Sequence, residues 1–314
     1  MLVFIKKNKW KLIGLATVAC IPIISSRYAT DLTIQIMIYA LFALSLNVLV
    51  GYIGNISFGH AAFFAIGGYS CVILLTTFNL PFIISFLSAL LVTAIAAFFV
   101  GLICIRLNQM YFAMLTLAFG MLVWAIALKW RPITGGDDGF VGINMPSYLD
   151  NPITFYYFTF IIIVIAISIL SAICNSTFGR TMIAIRENQN RAIFLGIDIK
   201  LMRLRAFIIS GTFGGLAGIL FALYNRGMYP ESAFWTESGQ VLIMVLLGGM
   251  HSFSGPILGA ITLYSLETVI NQYTEYWQLI LGCILLIVVL AAPDGLIGLL
   301  RTFKKNFLKL KNDA

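Results

Sequence analysis

Hydrophobic positions in this chain run on in long blocks, broken by short clusters of polar, glycine and proline residues, and do not alternate with polar ones at period two. A helix rises about 1.5 Å per residue, so a block near 20 residues matches the hydrocarbon thickness of a bilayer. Only helices and closed barrels keep every backbone polar group paired in lipid, and the missing alternation argues against a barrel. The blocks predict spans near Leu12–Ser26, Leu32–Val50, Ser57–Thr77, Phe82–Ile105, Tyr111–Lys129, Phe155–Cys174, Ala206–Tyr224, Gly239–Met250, Gly255–Ile270 and Tyr276–Gly298. That reading gives about ten transmembrane helices. The eighth and ninth blocks are short for a full crossing, which leaves a re-entrant or broken pair open.

Composition agrees with the pattern. At 61% hydrophobic, 10% charged and a mean hydropathy of +0.98, the chain is too apolar to stay in solution. The expected fold class is all-α: one polytopic integral membrane domain over residues 1–314, with no separable soluble part. No internal repeat is legible, because the two glycine-rich regions do not occupy matching positions in two five-span halves.

Charge orients the spans. With an even number of crossings both termini share one side, and placing them inside leaves only Arg27, Lys129, Arg131 and Arg226 outside, of 20 Lys and Arg. The positive-inside rule is strongly met, so both termini are expected to be cytoplasmic. The acidic residues split the other way, with Glu187, Asp198, Asp294 and Asp313 inside, of 12 Asp and Glu. The net charge of +8 therefore reflects topology and does not point to nucleic acid. The basic tail at about 299–314 is expected to meet anionic lipid headgroups. Lys6–Lys11 before Leu12–Ile24 resembles a signal peptide, and Thr17-Val18-Ala19-Cys20 loosely resembles a lipoprotein cleavage box. The residues after Cys20 are apolar where a polar spacer is needed, which favours an uncleaved first span. Cys20, Cys71, Cys104, Cys174 and Cys283 all fall in apolar runs without metal-type spacing and read as packing residues.

The spans are almost free of ionisable groups: Glu267 lies near an outer end, Arg106 and Lys129 at margins, and His60 among glycines. Proton or sodium coupling is disfavoured, since such carriers handle charge inside their spans. No Gly-Lys pair exists, so no phosphate-binding loop is present. His60 and His251 are the only histidines and neither has a matching cluster, so no catalytic or metal-binding residue is expected. Energy for any transport must come from another subunit.

The longest inside loop, at about 175–205, carries Gly179, Arg180, Arg186, Glu187, Asn188, Ala192 and Gly196. Its polar positions recur at helical spacing, interleaved with Met182, Ile185 and Phe194, and predict one short amphipathic helix ended by a left-handed Gly196. Periodicity alone leaves two readings open: a helix lying among headgroups, or one docked in a groove of a soluble partner. The segment Gly51–His60 sets Asn55, Ser57 and His60 among glycines, just after Asn47, and Gly248–Gly259 has the same character. Broken helices at membrane depth are tolerated beside protein or a watery cavity. Asn47, Gly51, Gly54, Asn55, Ser57, Gly59, His60, Gly248, Gly249, Gly255 and Pro256 are thus candidates for a translocation path, against the alternative of helix-packing turns. Pairs at four-residue spacing (Gly211/Gly215, Gly214/Gly218, Gly255/Gly259) permit close helix approach in lipid. The outer loop Trp130–Asn151 is turn-rich and acidic and lacks calcium-loop spacing.

These residues together resemble a known family. Gly179-Arg180, Ala184–Asn188 and Ala192–Ile197 are similar to the cytoplasmic loop of LivM-type permeases, subunits of ATP-binding-cassette importers for branched-chain amino acids. Gly51–Ala61, Thr116–Phe119, Thr134–Gly139, Gly214–Gly218, Gly248-Gly249 with Gly255-Pro256, and Pro293 with Gly295-Leu296 match its other motifs in order. Asn55 stands where the family often has Gln, and His251 where it usually has Gly. The resemblance implies a non-catalytic permease in a prokaryotic plasma membrane, with the 179–196 segment as the coupling helix. It also implies a LivH-like second permease, two cytoplasmic ATPases that bind the ATP, and an extracytoplasmic substrate-binding protein that the Trp130–Asn151 loop would meet. No cofactor of this chain's own is expected. Relatives for urea, amides or other amino acids are the near alternative. An autonomous secondary carrier and a membrane-embedded enzyme are the distant ones.

Overall fold

The computed structural model describes residues 26–107, 109–143 and 145–274, with 14, 17–22 and scattered positions from 276 to 299. The helices are α1 (Arg27–Asn47), α2 (His60–Thr76), α3 (Phe82–Cys104), α4 (Gln109–Lys129), α5 (Arg131–Thr134), α6 (Pro152–Asn175), α7 (Thr177–Glu187), α8 (Gln189–Phe194), α9 (Ile199–Asn225), α10 (Trp235–Gly248) and α11 (Gly255–Asn271). Among the described residues five helices are long and apolar enough to cross a membrane: α1 with the π-helical stretch Val48–Ile53 that continues it, α3, α4, α6 and α9. The second to sixth, eighth and ninth expected blocks each coincide with a helix to within about five residues, and the helix of the seventh begins earlier than expected, at Ile199 instead of Ala206. About half of the tenth block, about half of the first, and the basic tail lie outside the described residues.

Among the described long helices two are interior, and the shorter α2 is buried along most of its length beside them. In α1 with its π-helical extension 83% of the most apolar stretch is buried, and in α9 72%, against 22% in α3 and α4 and 28% in α6. The outer helices show why. On α3 the residues turned inward are Ser85, Ala89, Thr93, Ala97, Gly101 and Cys104, whereas Ile84, Leu87, Leu91, Ile95 and Phe99 are exposed. In lipid, large apolar side chains lose nothing by facing outward, and close packing of small residues becomes the source of helix association. A Cβ on Gly211 would lie 2.7 Å from the Ala97 Cβ, and one on Gly215 would strike the Thr93 side chain, so α9 beds into the small-residue ridge of α3. Gly218 lies against the Phe64 carbonyl of α2 on the adjoining face of α9.

α2 packs on α3, α4 and α9 and meets α1 through side chains, Phe64 against Tyr39 and Phe42, while α10 and α11 pack as a pair on α1. The first apolar run reaches α6, where the Tyr156 hydroxyl donates to the Val18 carbonyl at 2.5 Å and Tyr157 to Ala19 at 3.2 Å. At one end of the bundle the 130–151 loop is tied to the turn after α9 by a two-residue antiparallel pair, β1 (Phe140–Val141) with β2 (Gly227–Met228). This pairing carries no hydrophobic alternation in sequence and was not expected. An exposed Arg226–Asp150 ion pair at 2.6 Å lies beside it.

Candidate functional site

The break after α1 is built from its sequence. Hydrogen bonding widens to the π pattern over Val48–Ile53 and stops at Gly54, whose φ of +81° is open to glycine and strained for residues bearing a Cβ. Asn55 N–H still reaches back to the Leu49 carbonyl at 3.0 Å, and the chain is then non-helical until Gly59 caps α2. The second glycine-rich region forms the turn between α10 and α11, with Gly249 at φ +109° and Pro256 in the first turn of α11, where its missing N–H has no partner to lose.

These two regions meet. A Cβ on Gly51 would collide with the Met250 carbonyl, and the Asn47 side-chain amide donates to the Ser252 carbonyl at 3.4 Å. Gly248, Gly249 and Gly255 pack backbone to backbone, and Gly295 lies against Gly249. His60 faces away from this junction. Its Nε2 lies 2.7 Å from Ser45 Oγ, its ring stacks on Phe42 at 5.3 Å, and Gly214 of α9 leaves it room. Gly59 lies against the Thr116 backbone of α4. Asn47, Asn55, Ser57 and His60 are all essentially inaccessible, yet Asn47 Oδ1, Asn55 Oδ1, Ser57 Oγ and His60 Nδ1 find no hydrogen-bond partner. A buried polar atom without a partner costs about 1–3 kcal/mol, so its retention calls for water, a ligand or a second arrangement that satisfies it.

The expected amphipathic helix at 179–196 is two helices. Asn188 takes an extended backbone and its side chain accepts the Arg191 N–H at 2.9 Å, capping α8 and ending α7. An Asn side chain competes with the helical ladder in this way, and simple periodicity does not register it. Gly179 sits so close to the Cys174 carbonyl that a Cβ would strike it, which lets α7 fold tightly back from α6. Met182, Ile185 and Ala192 are buried anchors. Arg180, Glu187 and Asn188 are exposed, and Gly196 ends the segment at φ +77°. Arg186 points inward and donates to the Gly51 carbonyl. Past the break, Ile193, Phe194 and Leu195 form an apolar projection, with Phe194 90% exposed.

The other end of α1 carries features that the sequence reading missed. α10 begins at Trp235, four residues before the expected block, and this draws Glu237 into its first turn, 3.5 Å from the Tyr39 hydroxyl of α1. Glu267 of α11 accepts from Gln240 at 2.7 Å. The Phe234-Trp235 pair, aromatic residues of the kind that mark membrane interfaces, was the available signal for an earlier start. Two cavities of 410 and 400 Å³ open here and share Asp31 and Gln35, one reaching Asp150 and Arg226, the other Tyr264 and Glu267. Among the described residues no group of three His, Cys, Asp or Glu could hold a metal ion.

Comparison with known proteins gives this geometry a context. One family, described as the permease component of the branched-chain amino acid transport system, matches residues 28–290. The chain belongs to that family. This permease component is 32% identical to the high-affinity branched-chain amino acid transport system permease protein LivM of Escherichia coli (strain K12), over 98% of its own length and 78% of the relative's. It is 31% identical to LivM of Salmonella typhimurium (strain LT2), over 94% and 76%. The LivH permease protein of Escherichia coli (strain K12) is a more distant relative, 22% identical over 83% of this chain and 91% of that one. No solved structure matches the chain.

Proposed function

We propose that this chain is a membrane-spanning permease subunit of an ATP-binding-cassette importer that moves branched-chain amino acids into the cell. Family membership supports the substrate class, and relatives named LivM and LivH support a pair of related permeases in one transporter. In this reading the complete chain crosses a prokaryotic plasma membrane about ten times with both termini cytoplasmic. Two ATPases bind and hydrolyse the ATP, and an extracytoplasmic binding protein delivers the solute.

The observation that carries the coupling is the form of the 177–196 segment. One side is rooted by Met182, Ile185 and Arg186, and the far end presents Ile193, Phe194 and Leu195 to solvent. An exposed apolar projection rooted in the bundle suits a groove in a soluble ATPase. Closure of the ATPase pair would push this segment, and the push would reach the junction of Gly51 with the 248–255 turn. There Asn47, Asn55 and Ser57 hold buried polar atoms whose missing partners an alternate access state, or a passing solute, can supply. The Asp31-lined cavities at the opposite end of α1 fit the external side.

Uptake of labelled isoleucine is the test, in cells lacking and then regaining this chain, with leucine, valine and urea as competitors. Restored uptake blocked by leucine and valine supports the branched-chain reading; unchanged isoleucine uptake reassigns the solute. An ion-coupled carrier is the second reading, and Glu237 and Glu267 are the residues in its favour. It requires uptake that survives loss of the ATPases.

A further inference from the structure

Of the arginines in the 177–196 segment, Arg180 and Arg191 are exposed and Arg186 is half-buried, turned toward the bundle. Its guanidinium donates to the Gly51 carbonyl, and its stem crosses Gly54, where a Cβ would lie 2.8 Å from the Arg186 Cγ. Gly51 belongs to the last turn of the π-helical stretch, whose final carbonyls have no following helical N–H to accept from. A cation at a helix C-terminus also meets the negative end of the helix dipole. Arg186 is thus the cap of a broken membrane helix, supplied from a different element 135 residues away in sequence. The Met250 carbonyl stands against the same glycine, and one turn earlier Asn47 holds the Ser252 carbonyl.

We infer that Arg186 is a positioning residue that joins the cytoplasmic segment to the junction of the two glycine-rich turns, so that movement of α7 is delivered to Gly51 and through it to residues 248–255. The inference deepens the transport reading and rests on it only for the identity of what pushes α7. A π-helical stretch suits this task because shifting its hydrogen bonds to the α pattern moves the following carbonyls without unfolding the helix. Arginine suits it because a planar five-donor fork holds a carbonyl in a fixed direction, which a lysine ammonium does not. Exposed Arg180, one and a half turns earlier, lacks this inward contact and serves as the control.

The test compares the parent, R186A, R186K and R180A in the purified importer complex in proteoliposomes. ATP hydrolysis, uptake of the solute the parent carries, and hydrogen exchange at residues 48–57 and 249–255 are measured on each. R186A is expected to keep hydrolysis within about twofold while uptake per ATP falls roughly tenfold or more, the scale of one charge-assisted hydrogen bond. R186K is expected in between; R180A lies in the docking segment, so its uptake and hydrolysis can fall together, but without the inward contact it is expected to keep the parent's uptake per ATP. Exchange in both segments is expected to quicken in R186A and not in R180A. Should R186A fail to assemble, R186K and the exchange measurement on it decide. Hydrolysis and uptake falling in proportion in R186A, or unchanged exchange at 249–255, would overturn the inference. A parent that carries urea and not isoleucine would instead revise the solute, and the coupling ratio would still be read on urea.

Discussion

Replacing Gly218 by alanine isolates the packing principle on which this bundle rests. At a lipid-embedded helix contact no hydrophobic drive is available, so closeness of approach decides stability. A Cβ at 218 would lie 2.6 Å from the Phe64 carbonyl carbon and nearer still to its oxygen. Ordinary carbon–carbon contact needs about 3.5 Å, and the oxygen is the nearer obstacle, so α2 must retreat by more than about 1 Å. The obstacle is backbone, and no side-chain rotation relieves it. Overpacking of this kind costs about 1–3 kcal/mol, while alanine regains up to about 1 kcal/mol of helix propensity over glycine. With a rigid obstacle the first effect should dominate, for a net loss of about 1–2 kcal/mol. Gly239 in α10 is the matched control, because a Cβ there meets nothing within 4 Å. Gly239→Ala should be neutral or stabilising by up to about 1 kcal/mol. Equilibrium unfolding in mixed micelles, with both variants in parallel, reads the difference. Equal stabilities for the two variants would refute the claim that the α2–α9 distance is set by Gly218.

Three further outcomes follow from the site. Asn55→Ala removes a side chain whose Oδ1 is buried without a partner, so stability should hold to within about 1 kcal/mol while uptake falls; unchanged uptake at unchanged expression counts against a path along Asn55. Phe194→Asp should leave thermal unfolding in detergent unaltered, since the ring is 90% exposed, yet abolish co-purification of the ATPase subunits; retained co-purification would place the docking surface elsewhere. Asp150→Ala breaks the Arg226 ion pair between side chains 55% and 59% exposed, and should shift unfolding by less than about 1 kcal/mol, a value that high salt should reduce further.

Much of the architecture was legible along the chain because the bilayer imposes one rule on every span: about 20 apolar residues with internally paired backbone. The family motifs around Gly51, Gly179–Gly196 and Gly248 were equally legible. Their contacts were not. Periodicity predicted one helix at 179–196, and Asn188 split it through a side-chain bond that hydrophobic patterns do not encode. Glu237 was missed because a hydropathy window opens at the first apolar run, whereas the helix opens two residues before the glutamate.

What the sequence determined by itself is therefore one-dimensional: which stretches suit lipid, which end each charge favours, and which family supplied the pattern. Tertiary structure decided the rest. It made α1, α2 and α9 central, brought Gly51 against Met250 across some 200 residues of chain, and turned Arg186 inward while Arg180 faces out. The physical reason is that glycine and arginine carry no address. A glycine permits close approach without naming its neighbour, and a guanidinium caps whichever open carbonyl the packing of other helices brings within reach.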